Sequence, residues 1–372
     1  MSPFLELPHV ARTFSRIRPV VLSLTGLWEG SRRLGRGWYS GRARWVLLRY
    51  RERAEQVKAR AAALGFDACG VAAAGLVDPD DRLGAWLARG FHAGMKWMAT
   101  SQDVRQDVRK KLPGARAVVV VARNYYAPRP GRQANSGRVS RYAWGRDYHR
   151  VIGRPLRALA SYIRALEPGA EAYVSVDTGP VLERAWAARA GVGWVGKNGL
   201  AVRRDLGSWF FLGVVVTTVQ LEPDSPAVDQ CQDCRLCIDA CPTGAIVEPR
   251  VIDANRCISY HTVENRDERP EALRAKFGDW VFGCDVCQEV CPWNQSVQVT
   301  TEHDFHPRPG CANPDLAGLA ELNDAQFNSM FKGSVVRRAG IWGIRRNAGI
   351  AKENVCRTRD GRVHARTRRK KS

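Results

Sequence analysis

Cys231, Cys234, Cys237 and Cys241 follow the spacing C-x2-C-x2-C-x3-C, closed by Pro242, and Cys284, Cys287 and Cys291 precede a second proline, Pro292. A thiolate run of the first kind holds 4Fe-4S cubanes, three cysteines on one cluster and the fourth on its neighbour. The second run is one thiolate short, and Cys257, between the two, supplies the missing ligand. Two cubanes take eight thiolates, and these residues are eight of the chain's eleven cysteines. The crossing rule assigns Cys231, Cys234, Cys237 and Cys291 to one cluster and Cys241, Cys257, Cys284 and Cys287 to the other. The implied chemistry is single-electron transfer.

Zinc also binds C-x2-C pairs, but structural zinc sites close with four ligands, whereas three cysteines on one tight loop suit a cubane face. A disulfide framework belongs to small secreted chains. Here 372 residues with 45% hydrophobic content can bury a core of their own. Reduced thiolates point to the cytoplasm. Cys69, Cys311 and Cys356 stand apart and read as small buried hydrophobes.

No stretch of eighteen apolar residues is present, so no membrane span is expected. The net charge of +21 is concentrated at the ends: residues 1–48 hold eight Arg against two Glu, and residues 357–372 hold eight Lys or Arg against one Asp. Such a balance favours a polyanionic partner such as nucleic acid, although a solvated cationic surface has the same composition. Ser31-Arg32-Arg33-Leu34-Gly35 is similar to a twin-arginine export signal, yet the apolar segment such a signal needs does not follow. Residues 1–48 are therefore expected to form a basic extension, and 357–372 a basic disordered tail.

Between these ends, Ala54, Val57, Ala61 and Leu64 space a helical face from about Tyr50 to Gly65. A short buried strand follows from Cys69, a helix capped by Asp80 or Asp81, and an apolar run over Ala117–Ala122 of the kind found in a central strand. Helices are expected over 151–166 and 181–190, with strands over 171–176 and 209–219. Residues 49–222 then make one α/β or α+β domain, 223–300 a small cluster-organised domain and 301–356 a helical region.

Six blocks carry a resemblance to a known family. They are Ser140-Arg-Tyr-Ala-Trp-Gly-Arg-Asp-Tyr-His149, Val176-Asp-Thr-Gly-Pro180, Gly191-Val-Gly-Trp-Val-Gly-Lys-Asn-Gly199, Gly207-Ser-Trp-Phe-Phe-Leu212, Cys257-Ile-Ser-Tyr260 and Gly283-Cys-Asp-Val-Cys-Gln-Glu-Val-Cys-Pro-Trp-Asn294. In type and order these resemble the epoxyqueuosine reductases of tRNA queuosine synthesis, over roughly residues 50–350. The resemblance implies an α+β fold: an N-terminal α/β cobalamin-binding domain, a bacterial ferredoxin-like two-cluster domain and a short, truncated HEAT-like helical region. It implies base-off cobalamin beside two 4Fe-4S clusters, a tRNA carrying epoxyqueuosine at the wobble position, and a low-potential electron donor that the sequence does not name. The working unit is expected to be a cytoplasmic monomer.

Removing an epoxide oxygen takes two electrons and two protons, and the opening oxygen needs a positioned acid. Asp177 falls where the resemblance places the catalytic acid. A carboxyl beside a corrin and away from water is expected to have a raised pKa. From spacing alone, Asp177 or Thr178 reads equally as a helix cap ahead of Pro180. The resemblance also implies cobalamin contacts from Arg105, Tyr142, Asp177, Lys197, Asn198 and Ser208. His149 could ligate cobalt, but the D-x-H-x-x-G signature of such a ligand is absent, so no histidine ligand is expected. For tRNA, Ser259–Lys276 offers Tyr260, His261, Arg266, Arg269, Arg274 and Lys276, offset by four acidic residues. A reductive dehalogenase and a plain electron carrier are the competing readings. The first calls for an export signal, and the second leaves residues 50–222 without a purpose.

Overall fold

The computed structural model describes residues 38–369, with side chains from 46 to 357. The expectations for residues 1–37 and 370–372 lie outside the described residues.

The centre is a four-stranded sheet in the order Ala68–Ala73, Ala117–Asn124, Phe210–Thr217, Ala172–Ser175. Every neighbouring pair is antiparallel. The α+β class holds, but this half is not an α/β domain with parallel strands. The valine runs of the two inner strands form because β-branched side chains suit a pleated surface covered on both faces. Alternation with period two sends Val119, Val121 and Val215 to one face and Val118, Val120, Val214 and Val216 to the other. All seven are fully buried, each worth roughly 1.5–3 kcal/mol of apolar transfer.

Helices Trp38–Ala63 and Tyr148–Ala165 cover the first face, through Ala54, Val57 and Ala61 and through Ile152, Leu156, Leu159 and Ile163. The first of these begins well before Tyr50, where the sequence pattern starts. Gly65, at φ +88°, turns the chain beyond its end. Helix Glu183–Arg189 covers the second face with Trp186 and Ala187.

The cluster segment has little core of its own, centred on Ile258, Phe277 and Trp280. Its strand Trp280–Phe282 pairs in parallel with Arg138–Val139 from the N-terminal half. Val281 and Phe282 then join a third core with Trp144, Leu316, Phe331 and Ala348. Asn347 donates to the carbonyls of Thr262 and Val281, both at 2.9 Å, tying the C-terminal helix to the same strand. Residues from Trp45 onward form one compact unit. The helix Gly340–Arg369 also runs through the segment expected to be a disordered tail. Arginine, lysine and alanine are good helix formers, and polarity by itself does not break a helix.

Candidate active site

Asp177 lies just past the edge strand Ala172–Ser175, with left-handed backbone (φ 59°), a conformation costing a non-glycine residue about 1 kcal/mol. Glu183 holds the turn: its Oε1 accepts the Asp177 N–H at 2.7 Å and the Ser175 hydroxyl at 3.1 Å. Helix Glu183–Arg189 begins six residues later, and its cap position, Leu182, carries no side-chain bond. Asp177 is therefore no helix cap.

Its carboxylate is met from helix Tyr148–Ala165. The Tyr148 hydroxyl donates to Oδ2 at 2.7 Å, and His149 Nε2 stands 3.6 Å from the same oxygen. Tyr148 is fixed by stacking on Phe211, with ring centroids 4.2 Å apart. Asp147 caps the helix through the His149 N–H at 3.0 Å and pairs with His149 Nδ1 at 2.7 Å. Asp177 retains 65% side-chain accessibility although protein surrounds it, and Arg184 is likewise exposed yet enclosed. This combination marks the wall of an open cleft.

Burial pushes the Asp177 carboxyl up, but the facing His149 and Tyr148 and the Arg184 charge outweigh it and hold the group below the usual carboxylate range. The expectation of a raised pKa is corrected: the partners, which lie far off in sequence, decide the sign. Burial depresses His149, yet Asp147 and Asp177 outweigh that and raise it to about 9. At neutral pH the resting pair is carboxylate and imidazolium. Glu183 goes the other way, to about 7, through burial and then the Asp177 charge.

Arg105 is buried, held by Ser101 at 2.8 Å, and lies within electrostatic range of Glu183 and Asp177. Burial raises the Tyr142 hydroxyl well above its usual range, with Asp177 next among the causes. Arg105, Tyr142 and Asp177 thus converge. The other three expected cofactor contacts have their recorded partners elsewhere. Lys197 Nζ reaches the Gln232 carbonyl in the first thiol loop. Asn198 is buried and caps its own turn at the Leu200 N–H, 3.2 Å away. Ser208 donates its hydroxyl to Gln288 at 2.9 Å, and its N–H to Asn294 at 2.6 Å. Lys197 and Ser208 thus join the halves of the molecule, and Asn198 braces the turn between them. Sequence reasoning missed Tyr148, Glu183 and Arg184 as neighbours of Asp177. Tyr148 stood in a quoted block, but nothing in the spacing ties Glu183 or Arg184 to a carboxylate.

The thiols lie within electrostatic range of one another. Burial, then Cys231, Cys291 and Cys234, push the Cys237 thiol up to about 11. Cys257 feels Cys241, while Cys284 feels Cys287 and Cys257. Cys287 feels Cys257, Cys237 and Cys241, so the quartets are neighbours. Among the described residues no three such side chains converge on a single metal ion, whose ligand sulfurs would sit about 2.3 Å from it. Eight thiols in two wider groups fit two cubanes. The Trp194 indole N–H donates to Cys231 Sγ at 3.4 Å and the Ala245 N–H to Cys241 Sγ at 3.3 Å, the kind of bond that tunes cluster potential. Asp285, between two ligands, is fully buried and accepts from Ser140 Oγ and, at 2.9 Å, from the Arg141 N–H.

Of the stretch 259–276, Arg266 and Lys276 are exposed and Tyr260 and Arg274 partly so. His261 and Arg269 are buried, and Arg266 is spent on the carbonyls of Val263, Arg338 and Ala339. Nearer the cleft, the Arg338 guanidinium pairs with Glu264 at 2.8 Å and stands 5.5 Å over the half-exposed Trp97 ring.

A family model for a 4Fe-4S double cluster binding domain matches residues 230–294, which contain all eight candidate ligand cysteines. A second, described as epoxyqueuosine reductase QueG, DUF1730, matches residues 105–178, from Arg105 to just past Asp177. The epoxyqueuosine reductase of Synechocystis is 49% identical over 72% of this chain and 93% of its own length. That of Gloeobacter violaceus is 45% identical over 80% and 95%. A crystal structure of epoxyqueuosine reductase with an epoxyqueuosine-modified tRNA-Tyr stem loop superposes with a TM-score of 0.76 at 31% identity, covering 81% of each chain. The Bacillus subtilis enzyme, solved with its catalytic aspartate loop swung out of the active site, gives 0.74 at 30% over the same shares. With two thiol quartets, an aspartate-lined cleft and these relatives, the chain belongs to the epoxyqueuosine reductase family.

Proposed function

We propose that the chain reduces the epoxide of epoxyqueuosine at the tRNA wobble position to the alkene of queuosine, with Asp177 as the acid at the leaving oxygen. The observation that carries this reading is the aspartate held on the wall of an open cleft by Tyr148, His149 and Glu183, in a chain that also gathers two thiol quartets. When bound, the clusters supply single low-potential electrons and base-off cobalamin a two-electron centre for ring opening. Arg105 and Tyr142 would line the corrin. Both nitrogens of His149 face carboxylates, which fits a cobalamin with no histidine ligand.

The protein's own part is proton delivery and positioning. One oxygen of Asp177 is engaged by Tyr148, and the other has no protein partner among the described residues. The engaged oxygen fixes the carboxyl while the free one is available to substrate. Arg105 and Arg184 place positive charge where the opening oxygen gains negative charge. The enzyme would act as a cytoplasmic monomer on a modified tRNA, fed by a separate low-potential donor. No helix among the described residues is long and apolar enough to cross a membrane.

The test is anaerobic protein with iron, sulfide and cobalamin, a strong reductant and epoxyqueuosine tRNA, followed by nucleoside mass analysis. Wild-type protein should convert the epoxide. Asp177→Ala should bind cobalamin normally and lose at least about 10²-fold in turnover. Failure of the wild-type protein to remove the epoxide would refute the reading.

A further inference from the structure

His149 Nε2 is a buried nitrogen with no hydrogen-bond partner, aimed at Asp177 Oδ2 across 3.6 Å. An orphaned buried polar atom is costly and calls for an explanation. Its other nitrogen is committed to Asp147 at 2.7 Å, and the backbone N–H of His149 is bound to the same oxygen. Asp147 thereby keeps the proton on Nδ1 and leaves Nε2 as the nitrogen that takes up and releases one. Ring stacking on Tyr148, with centroids 4.1 Å apart, fixes the plane of the imidazole. The result is a carboxylate–imidazole–carboxylate line from the helix cap to the cleft.

The reaction gives that line a task. Epoxide plus two electrons plus two protons yields alkene plus water, with both protons going to the departing oxygen and both electrons coming from the external donor. A single carboxyl delivers one proton at a time, and Asp177 rests ionised. We propose that His149, clamped by Asp147, is the relay that reprotonates Asp177 at Oδ2 for each of the two deliveries, a role that rests on Asp177 being the acid. In each delivery the Nε2–H bond breaks and the Oδ2–H bond forms; the carboxyl, its hold on Tyr148 loosened by that proton, turns it to the departing oxygen, where the new O–H bond forms as the Oδ2–H bond breaks, and solvent that enters as the carboxyl turns recharges Nε2. His149 acts through Asp177 and so is a positioning and relay residue rather than a group on the substrate. The other charges facing the pair are Arg105, Glu183, Arg184 and Arg338, on three further elements.

Holoprotein carrying His149→Gln or His149→Ala should keep its KM and lose about 10²-fold in kcat. Added imidazole should restore the His149→Ala rate at least about tenfold, in proportion to its protonated fraction, which a merely structural role would not produce. Wild-type kcat should fall as pH rises through about 9, and His149→Gln should lack that limb. Turnover within about twofold of wild type, or a loss that imidazole does not relieve with the alkaline limb unchanged, would overturn the relay. Carbon-13 imidazole titration of the holoprotein tests the pair without turnover: Asp177→Asn should lower the His149 pKa, and an unshifted titration counts against it. Wild-type protein that titrates as expected yet leaves the epoxide intact would refute the functional reading and not the pair.

Discussion

Glu183 supports the backbone of Asp177 and also carries a proton near neutrality, two properties with one cause. Its carboxyl faces inward to reach the Asp177 and Ser175 donors, and the same burial, with Asp177 beside it, raises it from 4.5 to about 7. Because the folded value lies above the unfolded one, this group's stabilisation is complete below about pH 4.5 and is lost as pH rises through about 7. Glu183→Gln keeps an accepting oxygen and removes the titration. The variant should therefore gain on the order of 1 kcal/mol over wild type between pH 5 and pH 8, water in the cleft screening the larger value of full burial. Parallel melting-temperature profiles for the two proteins across that range would exclude this account. None of this was legible beforehand. A glutamate in the first turn of a helix reads as an ordinary complement to the helix dipole, and only the turn at Asp177 brings it under that residue's N–H.

The elements were more legible where one kind of chemistry repeats. The unbroken valines of Ala117–Asn124 announced a strand covered on both faces, and they lie at the centre of the sheet. The pairing direction was not written in them, since parallel and antiparallel neighbours bury the same side chains. The loop Gly283–Cys287 was legible as a ligand loop, but not as the anchor of the Ser140–Arg141 turn. Asp285 makes that connection, with Arg129 and Arg141 each 3.4 Å from its Oδ2. Asp285→Ala would leave both guanidinium groups partly buried without this partner, at about 3 kcal/mol. It should also loosen the loop between Cys284 and Cys287, so that the purified variant retains less iron and unfolds at lower temperature. Full iron with an unchanged melting temperature would separate Asp285 from cluster retention.

At the scale of the whole molecule, ligand types and spacing disclosed the two-cluster segment, because thiol runs of that spacing follow from sequence order alone. The cleft did not. Its wall is assembled from Arg105, Tyr148-His149, Asp177, Glu183-Arg184 and Arg338, five stretches distant in sequence that the fold brings together. Lys197 and Ser208 stood in blocks as prominent as that of Asp177, and their bonds to Gln232, Gln288 and Asn294 were not legible there, since a motif marks a constrained backbone without saying what constrains it. The quartets also differ in depth. Cys234 is exposed, while Cys241, Cys257, Cys284 and Cys287 are all partly buried. Molecular oxygen therefore meets the two cubanes in sequence. On brief exposure to air, iron should fall from about eight to about four atoms per chain and pause there. The half-stripped protein should keep the cubane of Cys241, Cys257, Cys284 and Cys287, so that the enzyme ages from its exposed thiolate inward.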